Sequence, residues 1–301
     1  MQVSRDLIRE AWLSGGVDGG LKIIEVRDLG FKYAGTDFYA IKGVNLEIDE
    51  GEFVILAGKS GCGKTTLLRC LNGLIPHLYE GEFEGRVLID GIDTRECPPH
   101  ILSQKVGMVF QNPDNQLFAL SVEADIAFPL ENLGLPREEI RDRVEWALKL
   151  LRIEELRRRS PFELSAGQKQ KVAIASVLAM KPKILLLDEP TSSLDPISAK
   201  NLIDAIIDLN KSYGLTILIS EHRLAHLMPH ADKLAVMDEG RIIYFDEPRK
   251  ILEEDVLMYG VSVPRVVEVV REMKKIGGCI PFKDIPLSVD EFIMGLRGVL
   301  R

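Results

Sequence analysis

No apolar run in this chain approaches the 18 or so residues that a membrane-spanning helix needs. The stretch "VAIASVLAM" (172–180) is among the longest and stops at Lys181. The first residues, "MQVSRDLIREAW", have no apolar core behind their charges, so no secretory signal is expected there. Cysteine is scarce too: Cys62, Cys70, Cys97 and Cys279 form no CxxC pair and no ligand cluster, which points to reduced thiols in a cytosolic protein. Positive charge is in deficit. A net charge of −8 argues against a dedicated nucleic-acid surface. What remains is a chain of 301 residues, 46% hydrophobic and 28% charged, enough for one large domain with an appendage.

Residues 1–20 end in "SGGVDGG", a flexible linker by composition, so any helix in "SRDLIREAWL" is an accessory. From Lys22 to Asp49, "KIIEVRDLGFKY" and "VNLEID" alternate apolar and polar residues as half-buried antiparallel strands do. The pattern then changes to continuous apolar runs, "FVILA", "VGMVF", "ILLLD", "TILIS" and "LAVM". Such runs suit strands of a mainly parallel sheet covered on both faces. Between the second and third lies a helix-rich insertion, about 112–181. In its "PREEIRDRVEWALKLL", Ile140, Val144, Ala147, Leu148 and Leu151 share one helical face behind Pro136. After about residue 250, "PRVVEVVREMKK" and "VDEFIMGLRGVL" read as two amphipathic helices. Ser288 and Glu291 have capping-box spacing for the second. The expected division is a linker (1–20), an α/β domain (21–250) and a C-terminal helical tail (251–301).

The strongest chemical signal is "FVILAGKSGCGKTTLLRCL". Gly58 to Thr65 reads G-x-x-x-x-G-K-T, placed after an apolar strand and before a helix with Leu67, Leu68 and Leu71 on its apolar side. Glycines let backbone N–H groups converge on phosphate oxygens without Cβ clashes. The helix end adds a partial positive charge. Lys64 suits the β- and γ-phosphates and the Thr65 hydroxyl suits Mg²⁺. The strand and helix on either side argue against a mere glycine-rich turn with an incidental lysine. The candidate ATP cradle is thus Gly58, Lys59, Ser60, Gly61, Cys62, Gly63, Lys64, Thr65 and Thr66.

In "KPKILLLDEPTSSLDP" an apolar strand delivers Asp188 and Glu189 to its carboxyl end, where ligand sites of open α/β sheets lie. Asp188 is a candidate Mg²⁺ holder, and Glu189 a candidate base for an attacking water. Alone, the stretch also fits an acidic strand end making a surface salt bridge. "TILISEHRL" repeats the geometry with Glu221 and His222; the histidine is either a γ-phosphate contact or a satisfied surface side chain. "VFQNPDNQLFA" ends a third strand in Gln111, a neutral amide able to reach Mg²⁺ or the attacking water. In "FELSAGQKQKVAIASVLAM", Ser165 and Gln168 have capping-box spacing, and Val172, Ile174, Ala175 and Leu178 are core positions of the helix they open. Its electropositive, uncrowded first turn suits an anion.

With these motifs in this order, the chain from about residue 22 to 250 resembles an ATP-binding cassette (ABC) ATPase. The resemblance makes "GKSGCGKTT" the Walker A motif and Gln111 the start of the Q-loop. "LSAGQ" becomes the signature, "ILLLDE" Walker B, "SSLD" the D-loop and His222 the switch histidine. It implies a P-loop NTPase fold with an antiparallel β subdomain and a helical subdomain, and ATP and Mg²⁺ as ligands. It also implies a head-to-tail dimer, homomeric or heteromeric, in which Ser165, Gly167, Gln168 and Asp195 act on the partner's ATP. Catalysis falls to Glu189, His222, Gln111 and Lys64, with Thr65, Gln111 and Asp188 at the metal. Tyr33 matches the family's adenine-stacking aromatic, although a core or edge-strand tyrosine fits its position as well.

Two positions depart from the family pattern: Ala166 stands where glycine is usual, and Glu221 where a small polar residue is usual. The Ala166 methyl predicts modest rather than lost activity. Glu221 is expected either to orient His222 or to raise its basicity. "FKYAGTDFYAIKGVNLEI" and "QNPDNQLFALSVEADIAFPLENLGLP" look most similar to the ATPases of energy-coupling factor (ECF) importers of vitamins and transition-metal ions. That likeness implies a transmembrane coupling subunit, a separate substrate-binding membrane protein and a peripheral place on the cytoplasmic membrane face. Asp114, Glu123 and Asp125 would be acidic partners for the coupling subunit, or plain solvated loop acids. The tail residues Val266, Val267, Val270, Phe292, Ile293 and Leu296 would be buried in dimerisation or by folding back on the cassette. The competing functional classes are a soluble cassette ATPase of translation or DNA repair and a catalytically dead regulatory cassette.

Overall fold

The computed structural model describes residues 22–276, 282 and 284–299. The linker of residues 1–20, any helix within it, and Cys279 lie outside the described residues. Strands β1 (Lys22–Tyr33) and β2 (Ile41–Asp49) pair antiparallel, as their alternation predicts, and lead into β3 (Phe53–Ala57). After helix α1 (Lys64–Leu71) and the single turn α2 (Leu74–His77), the chain returns with β4 (Gly81–Ile89) and β5 (Ile92–Asp93). The first sheet thus has the order β2-β1-β4-β5. That return was not legible in the sequence. The first six residues of β4 are exposed or half-buried, so "GEFEGRVLI" carries little apolar signal.

Helix α3 (Pro99–Leu102) precedes β6 (Val106–Val109). The expected insertion follows, built on α4 (Val122–Asn132), α5 (Arg137–Leu151) and α6 (Ala166–Ala179). The chain then enters β7 (Ile184–Asp188), α7 (Pro196–Tyr213), β8 (Thr216–Ser220), β9 (Lys233–Asp238) and β10 (Arg241–Asp246). The five apolar runs are the five parallel strands of the second sheet, ordered β10-β9-β3-β8-β7-β6, with β10 antiparallel on one edge.

Their lack of alternation has a direct cause. Phe53, Ile55, Leu185, Leu187, Ile217 and Ile219 enter one core with the helical insertion and α7. Val54, Leu56, Leu186 and Leu218 enter a second core, beneath the antiparallel sheet and α1. A strand covered on both faces has no position for a polar residue until it ends.

The tail comprises α8 (Pro248–Ile251), α9 (Arg265–Lys275) and α10 (Val289–Val299). Val266, Val267 and Val270 are buried, and the first two join the same core as the helical insertion. The face of α9 therefore folds back on its own cassette, and burying Val267 alone is worth about 2 kcal/mol. The expected capping box on α10 is half formed. Ser288 Oγ accepts from Glu291 N–H (3.2 Å), whereas the Glu291 carboxylate accepts from Arg249 (2.9 and 3.0 Å) and Leu287 N–H (2.9 Å). Phe292 is half-buried and stacks on Phe282, while Ile293 and Met294 stay exposed.

Candidate nucleotide site and its hydrolytic cluster

The phosphate loop is a backbone shape that two of its glycines alone permit. A Cβ on Gly58 (φ 149°) would fall 2.2 Å from the Met237 carbonyl oxygen, and one on Gly63 (φ 110°) 2.6 Å from that of Ala40. Packing and left-handed φ thus both exclude side chains there. The loop curls around Lys64, only 4% exposed, whose ammonium donates to the carbonyls of Gly58 (2.9 Å) and Lys59 (3.1 Å). Cys62 is buried within the loop; burial pushes its thiol pKa up, against the weaker opposing pull of Lys64.

Strands β7 and β8 lie side by side, with Asp188 opposite Ser220. The Thr65 hydroxyl donates to Asp188 Oδ2 (2.8 Å), and the Ser220 hydroxyl donates to Asp188 Oδ1 (2.8 Å). The Glu189 N–H donates to both the hydroxyl and the carbonyl oxygen of Ser220 (3.0 Å each), where the chain turns through positive φ. The Glu189 carboxylate thereby meets three predicted partners. Gln111 donates to Oε2 at 2.9 Å, His222 Nε2 lies 3.0 Å from Oε1, and Lys64 Nζ lies 3.7 Å from the same oxygen. Residues 64, 111, 189 and 222 come from four separate segments and converge on one carboxylate.

Lys64, Thr65, Gln111 and Glu189 line a cleft of about 500 Å³ together with Ser60. Phe38, Tyr39, Glu239 and Gly240, which the sequence reading missed, line it too; an exposed Phe38 between two β-like runs was the available signal. Tyr33 lies beside the loop but is not among the residues lining this cleft. Its ring packs edge-on against Phe31 and Tyr79, and its hydroxyl lies 3.2 Å from Thr66 Oγ1. A larger groove of about 890 Å³, between α5 and α7, contains none of the motif residues.

The signature residues are not among those lining their own chain's cleft. The Ser165–Gln168 capping box is present in full, with Gln168 N–H to Ser165 Oγ at 3.4 Å and Ser165 N–H to Gln168 Oε1 at 3.1 Å. Ala166 is exposed beside them, and Gly167 lies against Leu194 and Ser198. Asp195 caps α7, its Oδ1 accepting from Ile197 N–H (3.0 Å) and Ser198 N–H (3.1 Å). Hydrogen bonds from Ser198 hold its carboxyl below the usual range.

A protein-family model for ABC transporters matches residues 41–192, half of the chain. A Pyrococcus horikoshii protein named as an ABC transporter ATP-binding protein is 48% identical over 259 residues, 85% of this chain and 91% of its own. The chain belongs to the ABC transporter family. Its fold is the P-loop NTPase cassette, and as an ABC ATPase it is an ATP-hydrolysing enzyme. Solved structures similar to this cassette include the following two. CbiO1 of Clostridium perfringens, part of the ABC transporter complex cbiONQ, is 36% identical, with a TM-score of 0.70 over 83% of this chain and 99% of its own. An ATP-binding cassette solved as a post-hydrolysis dimer with ADP and Pi is 30% identical, with a TM-score of 0.66 over 75% and 99%.

ABC ATPases bind ATP with Mg²⁺ as the usual ion. The oxygen donors here fit that ion: the Thr65 hydroxyl and Asp188 carboxylate adjoin, with the Gln111 amide in the same cleft. Among the described residues no cluster of three His, Cys, Asp or Glu forms a metal cage. Such a site suits a cation shared with phosphates.

The acidic docking candidates fare otherwise. Asp114 is paired with Lys169 (2.6 Å), and Glu123 lies 3.7 Å from Arg157. Asp125 is buried, accepting from Phe118 N–H and Ala119 N–H at 3.1 Å. All three already have partners within this chain. Of the two alternatives open for Glu221, the geometry is that of orientation: its carboxylate accepts from the backbone N–H of His222 at 2.9 Å.

Proposed function

We propose that this cassette is the ATP-hydrolysing motor subunit of an ECF-type importer that takes up a vitamin or a transition-metal ion. The observation that carries the hydrolytic part is the Glu189 carboxylate held jointly by Gln111 and His222 beside Lys64. Glu189 accepts the proton of the attacking water, while the two hydrogen bonds fix its oxygens. Lys64 exchanges the carbonyls of Gly58 and Lys59 for phosphate oxygens, joined by the loop's N–H groups. Thr65, Asp188 and Gln111 hold Mg²⁺, which when bound offsets charge developing on the phosphates. An aromatic from the β1–β2 segment, Tyr33 or Phe38, holds the adenine.

Because Ser165, Gly167 and Gln168 lie outside their own cleft, the capped first turn of α6 serves the ATP of a second cassette in a head-to-tail dimer. Asp195 lies at the same interface. The ECF assignment draws on the likeness to CbiO1, whose complex is cbiONQ, and on the tail. The exposed α10 face at Ile293 and Met294 is its dimerisation surface. Beyond Gln111, Phe118 (57% exposed) and Leu120 (89%) form an apolar surface, with Phe118 edge-on to Phe128 at 4.6 Å. That surface receives the transmembrane coupling subunit, which works with a substrate-binding membrane protein. The cassette then sits on the cytoplasmic membrane face; no described helix is long and apolar enough to cross the bilayer.

Replacing Glu189 by Gln tests the motor. ATP binding should persist, turnover should fall about 100-fold or more, and an ATP-dependent dimer should appear on gel filtration. Turnover near the parent rate removes the base assignment. For the importer reading, the full chain should co-purify with membrane proteins. Isolation with ribosomes or DNA, and with no membrane protein, favours a soluble cassette of translation or repair instead.

A further inference from the structure

Glu221 is a buried carboxylate to which the hydrolytic scheme gives no task. It is 3% exposed, and among the described residues no cation lies within ion-pair distance of it. A charge so placed is tolerated only where hydrogen-bond donors replace water around it. Glu221 has four. Oε1 accepts from the N–H (3.0 Å) and the hydroxyl of Thr191, in the loop that runs from Glu189 to Asp195. Oε2 accepts from the N–H groups of His222 (2.9 Å) and Arg223 (3.3 Å). Each oxygen thus grips a different loop.

Two further bonds reinforce the link. Arg223 reaches back to the Leu194 carbonyl at 3.4 Å, and the Ser262 hydroxyl, at the start of the tail, donates to the His222 carbonyl. The His222 peptide is held at its N–H by Glu221 and at its C=O by Ser262, while its imidazole meets Glu189 at 3.0 Å. We propose that Glu221 is a positioning residue for hydrolysis: it clamps the switch-histidine loop to the 191–195 loop, so that the two move as one body and the imidazole stays on Glu189. A displacement of Asp195 by a second cassette then reaches His222 through this carboxylate. The inference rests on the reading of His222 as a participant in hydrolysis.

The test is Glu221→Gln. The amide keeps the volume but turns one acceptor oxygen into a donor, which must face the N–H groups of one of the two loops. The expected result is a kcat about 10-fold or more lower, with nucleotide affinity within about 3-fold of the parent, because no phosphate-loop contact is touched. Combined with His222→Ala, the change should add almost nothing, since the carboxylate acts through the histidine. Parent-like kcat in E221Q, or losses that multiply in the double variant, would overturn the proposal. If E221Q does not fold, Thr191→Val removes one of the four donors at nearly constant volume. It should still lower kcat about 3-fold at unchanged affinity, and parent-like kcat there also overturns the proposal. His222→Ala alone separates the two layers. Full activity in that variant removes the histidine assignment itself, whereas a dead H222A beside a normal E221Q removes only the clamp.

Discussion

Ser220 is a small residue with a large predicted effect. It ends β8 at zero exposure, donates to Asp188 Oδ1 at 2.8 Å and accepts from Glu189 N–H at 3.0 Å. Ser220→Ala deletes one oxygen and opens almost no cavity, so the loss is the hydrogen bonds themselves. Glu189 N–H keeps the Ser220 carbonyl (3.0 Å), which confines the damage to the charged acceptor, Asp188. A hydrogen bond to a buried charged group is worth about 1.5–3 kcal/mol, so about 2 kcal/mol of stability should be lost. An unfolding entropy of about 0.6 kcal/mol/K for a chain of this length turns that into a Tm lower by about 3 °C. Calorimetry without nucleotide measures it. Among the described residues the Asp188 carboxylate would then keep only the Thr65 hydroxyl, so the Mg²⁺ concentration for half-maximal ATPase should rise. A Tm within 0.5 °C of the parent (roughly the resolution needed), together with an unchanged Mg²⁺ dependence, would refute the reasoning that Ser220 orients the carboxylate.

The Cys62 thiol has its pKa raised by burial, so it ionises at higher pH than a free cysteine does. Its alkylation in the folded protein should be slow near neutral pH and accelerate only at higher pH than for a free thiol in the same assay; a fast reaction at pH 7 contradicts this. Gly58→Ala would force a Cβ to 2.2 Å from the Met237 carbonyl oxygen and must deform the loop. ATP binding, followed by fluorescent-nucleotide titration, should be lost, and retained affinity would show that the loop yields without cost.

Short-range order was legible in the residues. The phosphate loop with its flanking strand and helix, the five two-face-buried strands and the Ser165 capping box are each specified within about twenty contiguous residues. Backbone conformation, burial period and capping are local properties, and they survive reading along a line. The return of β4 to the first sheet was not, because its exposed half lacks an apolar period and its partner β1 lies some fifty residues upstream.

Partnership was decided by tertiary structure alone. The sequence left Asp114, Glu123 and Asp125 as docking acids or solvated loop acids, and the fold puts Lys169, Arg157 and two backbone N–H groups within their reach. The motifs supplied Glu221 as a departure with two candidate tasks, and the fold put Thr191 against it across two adjacent strands. They left the α9 valines between two fates, and packing on the cassette core chose one. A sequence determines which groups a segment can offer; which of them meet depends on strand order and packing between distant segments. The motifs named Lys64, Gln111, Glu189 and His222 one by one, and only the parallel sheet, by ending β3, β6, β7 and β8 on one side, gathers them around a single carboxylate.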